Sequence, residues 1–447
     1  MVSAAEQLAA NLNFGAFSKA TELKKRIWFT LGALVIYRFC TYVPLPGIDP
    51  VALEQVFQQF QGGLLNMFNT FSGGALQRMS IIALNIMPYI SASIIMQLMT
   101  SMHPKLEQLK KEGERGRKKI NQYTRYGTVL LTAVQGYGLA VGLEGMSGGG
   151  SGAVLDPGLF FRMTTVISLV GGTMFLMWLG EQITARGVGN GISLIIFAGI
   201  VAELPRALVS TLELGRQGAI APLIIMAILL LAIALIFWIV FMERAQRRLI
   251  VQYPKRQMGN QMMQADSSHL PLKLNTAGVI PPIFASSLLF MPVTIAQFSA
   301  DGGPEWMGTV TALLGQGQPL YIAFYVALIV FFSFFYTAIV FNPEDTADNL
   351  KRHGGFIPGF RPGVRTAEHL DYVLTRLTVV GAAYLSVVCV IPELLVSNLA
   401  VPFYLGGTSL LIVVNVTMDT VGQIHSHLMA HQYEGLIKKS KLRGGRR

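Results

Sequence analysis

The segments "ALNIMPYISASII" (residues 83–95) and "AGVIPPIFASSLL" (277–289) set proline, then isoleucine, then Ala and Ser in the same order at two distant points of the chain. Proline lacks the backbone N–H and bends or ends a helix. The small residues that follow let helices approach closely. Two unrelated kinks would give the same pattern, but "IMPYISAS" against "VIPPIFASS" reads as an internal echo. The expectation is a helix broken at Pro88 and its counterpart broken at Pro281 and Pro282.

Composition says what kind of helices these are. The 447 residues are 52% hydrophobic and only 13% charged, where a soluble domain carries about 25% charged residues. Ten windows are apolar enough to span lipid, near 27–43, 77–101, 126–143, 163–183, 191–209, 219–241, 276–298, 319–341, 374–395 and 402–424. The two proline segments each fall in the second window of a set of five. Halves with an odd number of spans must insert in opposite orientations if they share a fold, and a broken helix at the same place in each half marks such an inverted repeat. The expected organisation is one all-α polytopic membrane domain over residues 1–447. It divides into an N-terminal tail (1–23), a first five-helix half (24–215), a second (216–430) and a basic tail (431–447).

The net charge of +11 is distributed in a way that favours topology over nucleic acid. With both termini on one side, 29 of the 35 Lys and Arg fall in segments on that side and only Arg206 and Arg216 in loops opposite. The positive-inside rule then makes both termini cytoplasmic. No cleavable signal is expected, since residues 1–23 lack a continuous apolar core. Two cytoplasmic connections, 242–275 and 342–373, are long enough to be functional; "RRLIVQYPKR" in the first mixes β-branched residues with cations and predicts a short strand or hairpin. Cys40 and Cys389 both lie in apolar windows and read as buried side chains, with no disulfide framework.

"GGLLNMFNTFSGG" (62–74) is a different kind of segment. At about 1.5 Å per residue its nine central residues reach roughly 14 Å, against a hydrocarbon core of about 30 Å. It cannot span. Chemistry is missing as well: the chain holds no phosphate loop, His-Glu-x-x-His or paired cysteines. "RGVGNGIS" joins two membrane helices and so reads weakly as a nucleotide site. His425, His427 and His431 read as an interfacial cluster without a carboxylate or thiol to complete a metal set. No catalytic residue, metal or cofactor is expected, and energy must come from another protein or a gradient. Glu181, Glu203, Glu393, Asp419 and Arg38 fall near segment ends, where snorkelling is cheap, and no charged pair is expected at mid-membrane. That pattern disfavours an ion-coupled carrier of small solutes, the first rival to a conduit. A membrane enzyme lacks its catalytic constellation, and a scaffold without a conduit is the third rival.

Several long motifs then point to one family. "QYTRYGT" (122–128), "GEQITARGVGNGIS" (180–193), "HLPLKLNTAGVIPPIFASS" (269–287), "FNPEDTADNLKRHGGFIPGFRPG" (341–363) and "VPFYLGGTSLLIVV" (401–414) resemble, in order, the SecY family of bacterial secretion channels. The resemblance implies two inverted five-helix halves around an hourglass pore, with a lateral gate between helices two and three and helices seven and eight. It identifies 62–74 as a plug half-helix, with Leu64, Leu65, Asn66, Met67, Phe68, Asn69, Thr70, Phe71 and Ser72 as the stopper between glycine hinges. It implies a pore ring of Ile86, Ile90, Ile196, Ile283 and Ile412, a hydrophobic constriction that would block ions by dewetting. Gln97 and Asn190 become candidates for the polar part of the gate. Arg247, Arg248, Lys255, Arg256 and Arg361 fall in loops that relatives offer to the ribosome and the SecA ATPase. SecE and SecG are the implied membrane partners, a translocating polypeptide the implied substrate, and lipid the destination of its apolar segments. The double proline at 281–282 departs from the single proline typical of relatives, which puts the bend of helix seven in question.

Overall fold

The computed structural model describes residues 21–49, 52–53, 69, 72–146, 154–218, 221–253, 257–258, 261–262, 267–298, 318–399 and 406–444. The helices of the first part are α1 (Thr21–Cys40), α2 (Met87–Met102), α3 (Pro104–Lys111), α4 (Glu114–Met146), α5 (Leu159–Arg186) and α6 (Gly191–Arg216). The second part holds α7 (Pro222–Arg244), strands β1 (Gln246–Gln252), β2 (Gln257–Met258), β3 (Gln261–Met262) and β4 (Ser267–Lys273), then α8 (Ile280–Phe298), α9 (Pro319–Val340), α10 (Pro343–Arg352), α11 (Val364–Leu399) and α12 (Gly407–Gly444). Among the described residues, six segments are long and apolar enough to cross a membrane: 114–144, 159–186, 191–216, 222–244, 319–352 and 364–395. Helices α1, α2, α8 and α12 stand where the other four windows are expected; α1 and α12 are too polar and α2 too short to meet that measure, and α8 is apolar over its described side chains, 280–289.

The packing order of the first part recurs in the second. Helix α2 packs on α4, α4 on α5, α5 on α6 and α6 on α1; in the same way α8 packs on α9, α9 on α11, α11 on α12 and α12 on α7. The two sets meet along two seams, α2 and α4 against α8, and α6 against α12 and α7. Glycines make equivalent close approaches. Gly191 opens α6 against the Gly180 backbone of α5, and Gly407 opens α12 against the Val388 backbone of α11; a Cβ on either would overlap its neighbour. Without a hydrophobic drive between helices in lipid, such backbone proximity is how they gain packing energy.

The proline echo survives, with a different structural meaning. Helix α2 begins at Met87 and α8 at Ile280, so Pro88 and Pro281 are the second residues of their helices and Pro282 the third. None of them breaks a helix. The first turn has N–H groups without intrahelical partners, so a proline there sacrifices nothing and its fixed φ suits the start. The expected helix over 77–101 therefore loses its first ten positions, and the doubled proline bends nothing.

Other boundaries move outward, because polar residues extend helices past the apolar windows. Much of the expected 102–125 loop is helical, as α3 and the first turns of α4. Helix α6 continues to Arg216, α10 and the start of α11 occupy much of the 342–373 loop, and α12 runs through most of the expected tail. The predicted hairpin is present: β1 pairs antiparallel with β4, Leu249 opposite Leu270. Its inner residues Leu249, Val251 and Leu272 form a core with Ile357, Leu370, Val373, Leu374 and Leu377. The two long connections are thus one platform, joined by reciprocal backbone hydrogen bonds between Gln252 and Phe356 at 2.9 and 3.0 Å.

Candidate functional site

The turn at Ile86, together with α2, α6, α8 and α12, delivers the five candidate isoleucines to one place. Ile86, Ile196 and Ile412 are buried members of a single apolar cluster, and Ile90 and Ile283 are half-buried side chains packed against it. Their positions repeat between the two sets. Ile90 and Ile283 follow Pro88 and Pro281 by the same interval, and Ile196 and Ile412 follow Gly191 and Gly407 by the same interval. The cluster also takes Tyr37 from α1 and Leu176, Leu179 and Ile183 from α5, an apolar core drawn from both sets.

Beside this core the chain abandons regular structure. Residues 72–86 turn repeatedly, with Gly73, Gly74, Met79 and Asn85 at φ of 65, 79, 42 and 49°. The stretch is nonetheless buried: Ala75, Ser80, Met79, Ile82 and Ile86 are almost wholly enclosed. Irregular backbone at membrane depth survives only where protein supplies its hydrogen bonds. Here Leu45 N–H donates to the Met79 carbonyl at 2.9 Å and Ile81 N–H to the Val43 carbonyl at 3.0 Å, with further turn bonds inside the stretch. Of the candidate plug, Leu64, Leu65, Asn66, Met67, Phe68, Thr70 and Phe71 lie outside the described residues. Asn69 and Ser72 are described and well tied. The Asn69 side chain accepts from Gln77 N–H at 2.9 Å, and the Ser72 hydroxyl donates to the Asn69 carbonyl at 3.0 Å.

The charges depart further from expectation. Glu203 stands midway along α6, away from any segment end, because that helix is longer than its window. Its carboxylate is 3.9 Å from Arg38 Nη2 and 3.8 Å from Arg78 Nη2. An acidic residue and two arginines inside apolar windows are the signal the sequence offers, since charges at such depth tend to pair; the pairing itself crosses α1, residue 78 and α6. Glu181 does lie near the end of α5, where it bonds Arg125 of α4. A second buried polar contact joins α7 to the lead-in of α8: the Asn275 amide donates to Glu243 Oε1 at 2.7 Å and to the Gly278 carbonyl at 3.0 Å.

The gate candidates do not form a pair. Gln97 is half-buried in α2, whereas Asn190 is exposed and caps α6, its side chain accepting from Ile192 N–H at 3.2 Å. The α2/α8 seam itself is apolar: Ile94 of α2 is buried with Phe284 of α8 and Phe332 of α9, whose rings meet edge to face at 5.6 Å. On the platform, Arg247, Arg248 and Arg361 are all exposed; Lys255 and Arg256 lie outside the described residues. Nearby on α3, the hydrogen bond to Lys111, at 2.8 Å, holds the Glu107 carboxyl below its ordinary range and raises the Lys111 ammonium, to which Asp345 of α10 also contributes. That influence puts α3 at the same end of the bundle as the platform. Among the described residues no group of His, Cys, Asp and Glu is arranged to hold a metal.

The fold defines a polytopic helical membrane bundle of two like-packed sets of helices that share an apolar cluster. Comparison with known proteins agrees. The SecY family model matches residues 80–421. The SecY translocase subunit of Rickettsia conorii is 57% identical over 429 residues, covering 96% of this chain and 99% of that one; that of Escherichia coli K12 is 55% identical over 424 residues, covering 95% and 96%. The chain belongs to the SecY family. Among solved structures, one described as a protein-conducting channel superposes with a TM-score of 0.66 at 18% identity, covering 91% of this chain and 92% of the other. A canine Sec61 from a ribosome-channel complex gives 0.63 at 18%, with the same coverage. At such identity these two likenesses speak to the fold.

Proposed function

We propose that this chain is a passive, gated channel that passes unfolded secretory polypeptides across the bacterial inner membrane and releases apolar segments sideways into lipid. The convergence of Ile86, Ile90, Ile196, Ile283 and Ile412 on one cluster carries the reading. A ring of branched apolar side chains excludes water and ions when closed and yields to many unrelated chains without binding any tightly. Residues 64–72 are the plug that backs this seal, with Gly73 and Gly74 as one hinge. The two sets of helices are inverted halves, 24–215 and 216–430, and the apolar α2/α8 seam is the lateral gate, with Gln97 and Asn190 at its polar edge.

The platform of β1, β4 and the 342–373 connection faces the cytoplasm, as do both termini. Arg247, Arg248, Lys255, Arg256 and Arg361 give it the charge to dock the SecA ATPase or a ribosome, which supply the driving force. SecE and SecG brace the halves. The family membership and the exposure of the three described arginines support this assignment. Reconstitution with SecE, SecG, SecA, ATP and a secretory precursor tests it: the precursor should become protected from external protease, and absence of protection with a folded channel overturns the reading.

A further inference from the structure

We infer that Glu203, with Arg38 and Arg78, forms an ionic clamp that fixes the C-terminal root of the plug segment and sets how readily it is displaced. The inference rests on the proposed plug role of residues 64–72. Three observations carry it. First, Arg38 is shared: Nη1 donates to the Gly73 carbonyl at 2.6 Å, while Nη2 lies 3.9 Å from Glu203. Second, Glu203 faces Arg78 as well, so the carboxylate holds guanidinium groups from both sides of the glycine pair, one on α1 and one past Gly74. Both cations lie over the Tyr42 ring, at 5.2 and 4.2 Å from its centre. Third, the segment gripped has irregular backbone. Gly73 and Gly74 take positive φ, and the Tyr37 hydroxyl donates to the Ser72 carbonyl at 3.3 Å as the adjoining tie.

The geometry leaves little slack. A Cβ on Gly74 would meet Glu203 Oε1 and Arg78 Nη2, so the backbone passes directly under the charges. The Glu203 side chain is 17% exposed and the arginines 29%. The pairs are therefore less screened than surface ion pairs yet still open to salt. Moving residues 72–78 away from α1 and α6 would strip Arg38 of its carbonyl and Glu203 of a counter-ion together. Those losses make displacement a threshold event and oppose gradual drift.

Hydrogen exchange across 72–81 and resting conductance of the full-length reconstituted channel test the clamp. Glu203→Gln and Arg38→Gln should each speed exchange there roughly five-fold relative to α4. The double variant should add little to either single one, since both break one network. If the variants fold poorly, the unaltered protein suffices: raising salt from about 0.05 to about 1 M should quicken exchange at 72–81 selectively. Unchanged exchange in the variants, or multiplicative single effects, or salt-independent exchange at 72–81, overturns the clamp. Deleting 64–72 separates the two ideas. If that deletion opens the channel while Glu203→Gln and Arg38→Gln alter neither readout, the plug stands and the clamp falls. If exchange quickens in the variants while the deletion leaves conductance unchanged, the clamp stands as a restraint and the sealing role of 64–72 falls.

Discussion

The connection from α1 to α2 and the connection from α7 to α8 occupy the same place in the two sets of helices, yet they solve opposite problems. The first folds inward. Of its described residues, 72–86 are mostly buried; they share hydrogen bonds with residues 43–45 of the same connection, and Arg78 shares Glu203 of α6 with Arg38 of α1. The second folds outward as a self-paired hairpin, with Leu249 and Val251 buried in a core with α11 residues and Arg247, Arg248 and Ile250 exposed. Strand alternation lets one face pack while the other stays wet. If the proposed plug role holds, a segment that leaves its seat cannot rely on a regular ladder, and glycines at its root would serve that need. One connection is irregular and enclosed by the bundle, the other a regular hairpin with a wet face.

Breaking the first connection should have the largest effect. Deletion of residues 64–72 should raise resting ion conductance in planar bilayers at least about ten-fold, the change that a loss of roughly 1.4 kcal/mol from the closed state would give; an unchanged seal would remove the plug. Breaking the second should unfold only the platform. Val251 is 2% exposed, so Val251→Asp should cost about 3 kcal/mol or more locally, abolishing exchange protection of β1 and β4 while resting conductance stays as it was. If the leak rises too, the two connections are not separable.

Smaller changes sharpen the contrast. Gly73 has φ of 65°, and a Cβ there would lie 3.0 Å from Arg38 Nη1 and from the Gly199 Cα. Gly73→Ala should therefore strain the closed arrangement by about 1 kcal/mol and raise the open population roughly five-fold, read as resting conductance. Arg361→Ala should shift stability by less than about 0.5 kcal/mol in thermal unfolding, with conductance unchanged, yet slow SecA-driven transport of a precursor. Normal transport by that variant would take Arg361 out of the docking surface.

Several of these features can be read directly from residues. The hairpin follows from β-branched residues among cations, and the doubled pattern at Pro88 and Pro281 marks equivalent positions, although each proline starts its helix instead of breaking it. Glu203 departs from expectation for a simple reason: the apolar window ends before the helix does, so a mid-helix carboxylate reads as terminal. Asn190 shows a local role that the resemblance did not name: its side chain caps the helix it precedes.

The sequence by itself determined the membrane-helical class, the charge asymmetry of the connections and the echo between two distant segments. Each is a property of composition or spacing along the chain, because hydropathy and periodicity act on neighbouring residues. Only the tertiary structure decided that five ordinary isoleucines share one apolar cluster, that two arginines and a glutamate meet over a glycine pair, and that two separate loops make one platform. Those facts depend on which helices approach each other and at what height, and side chains distant in sequence interact only when packing brings them together.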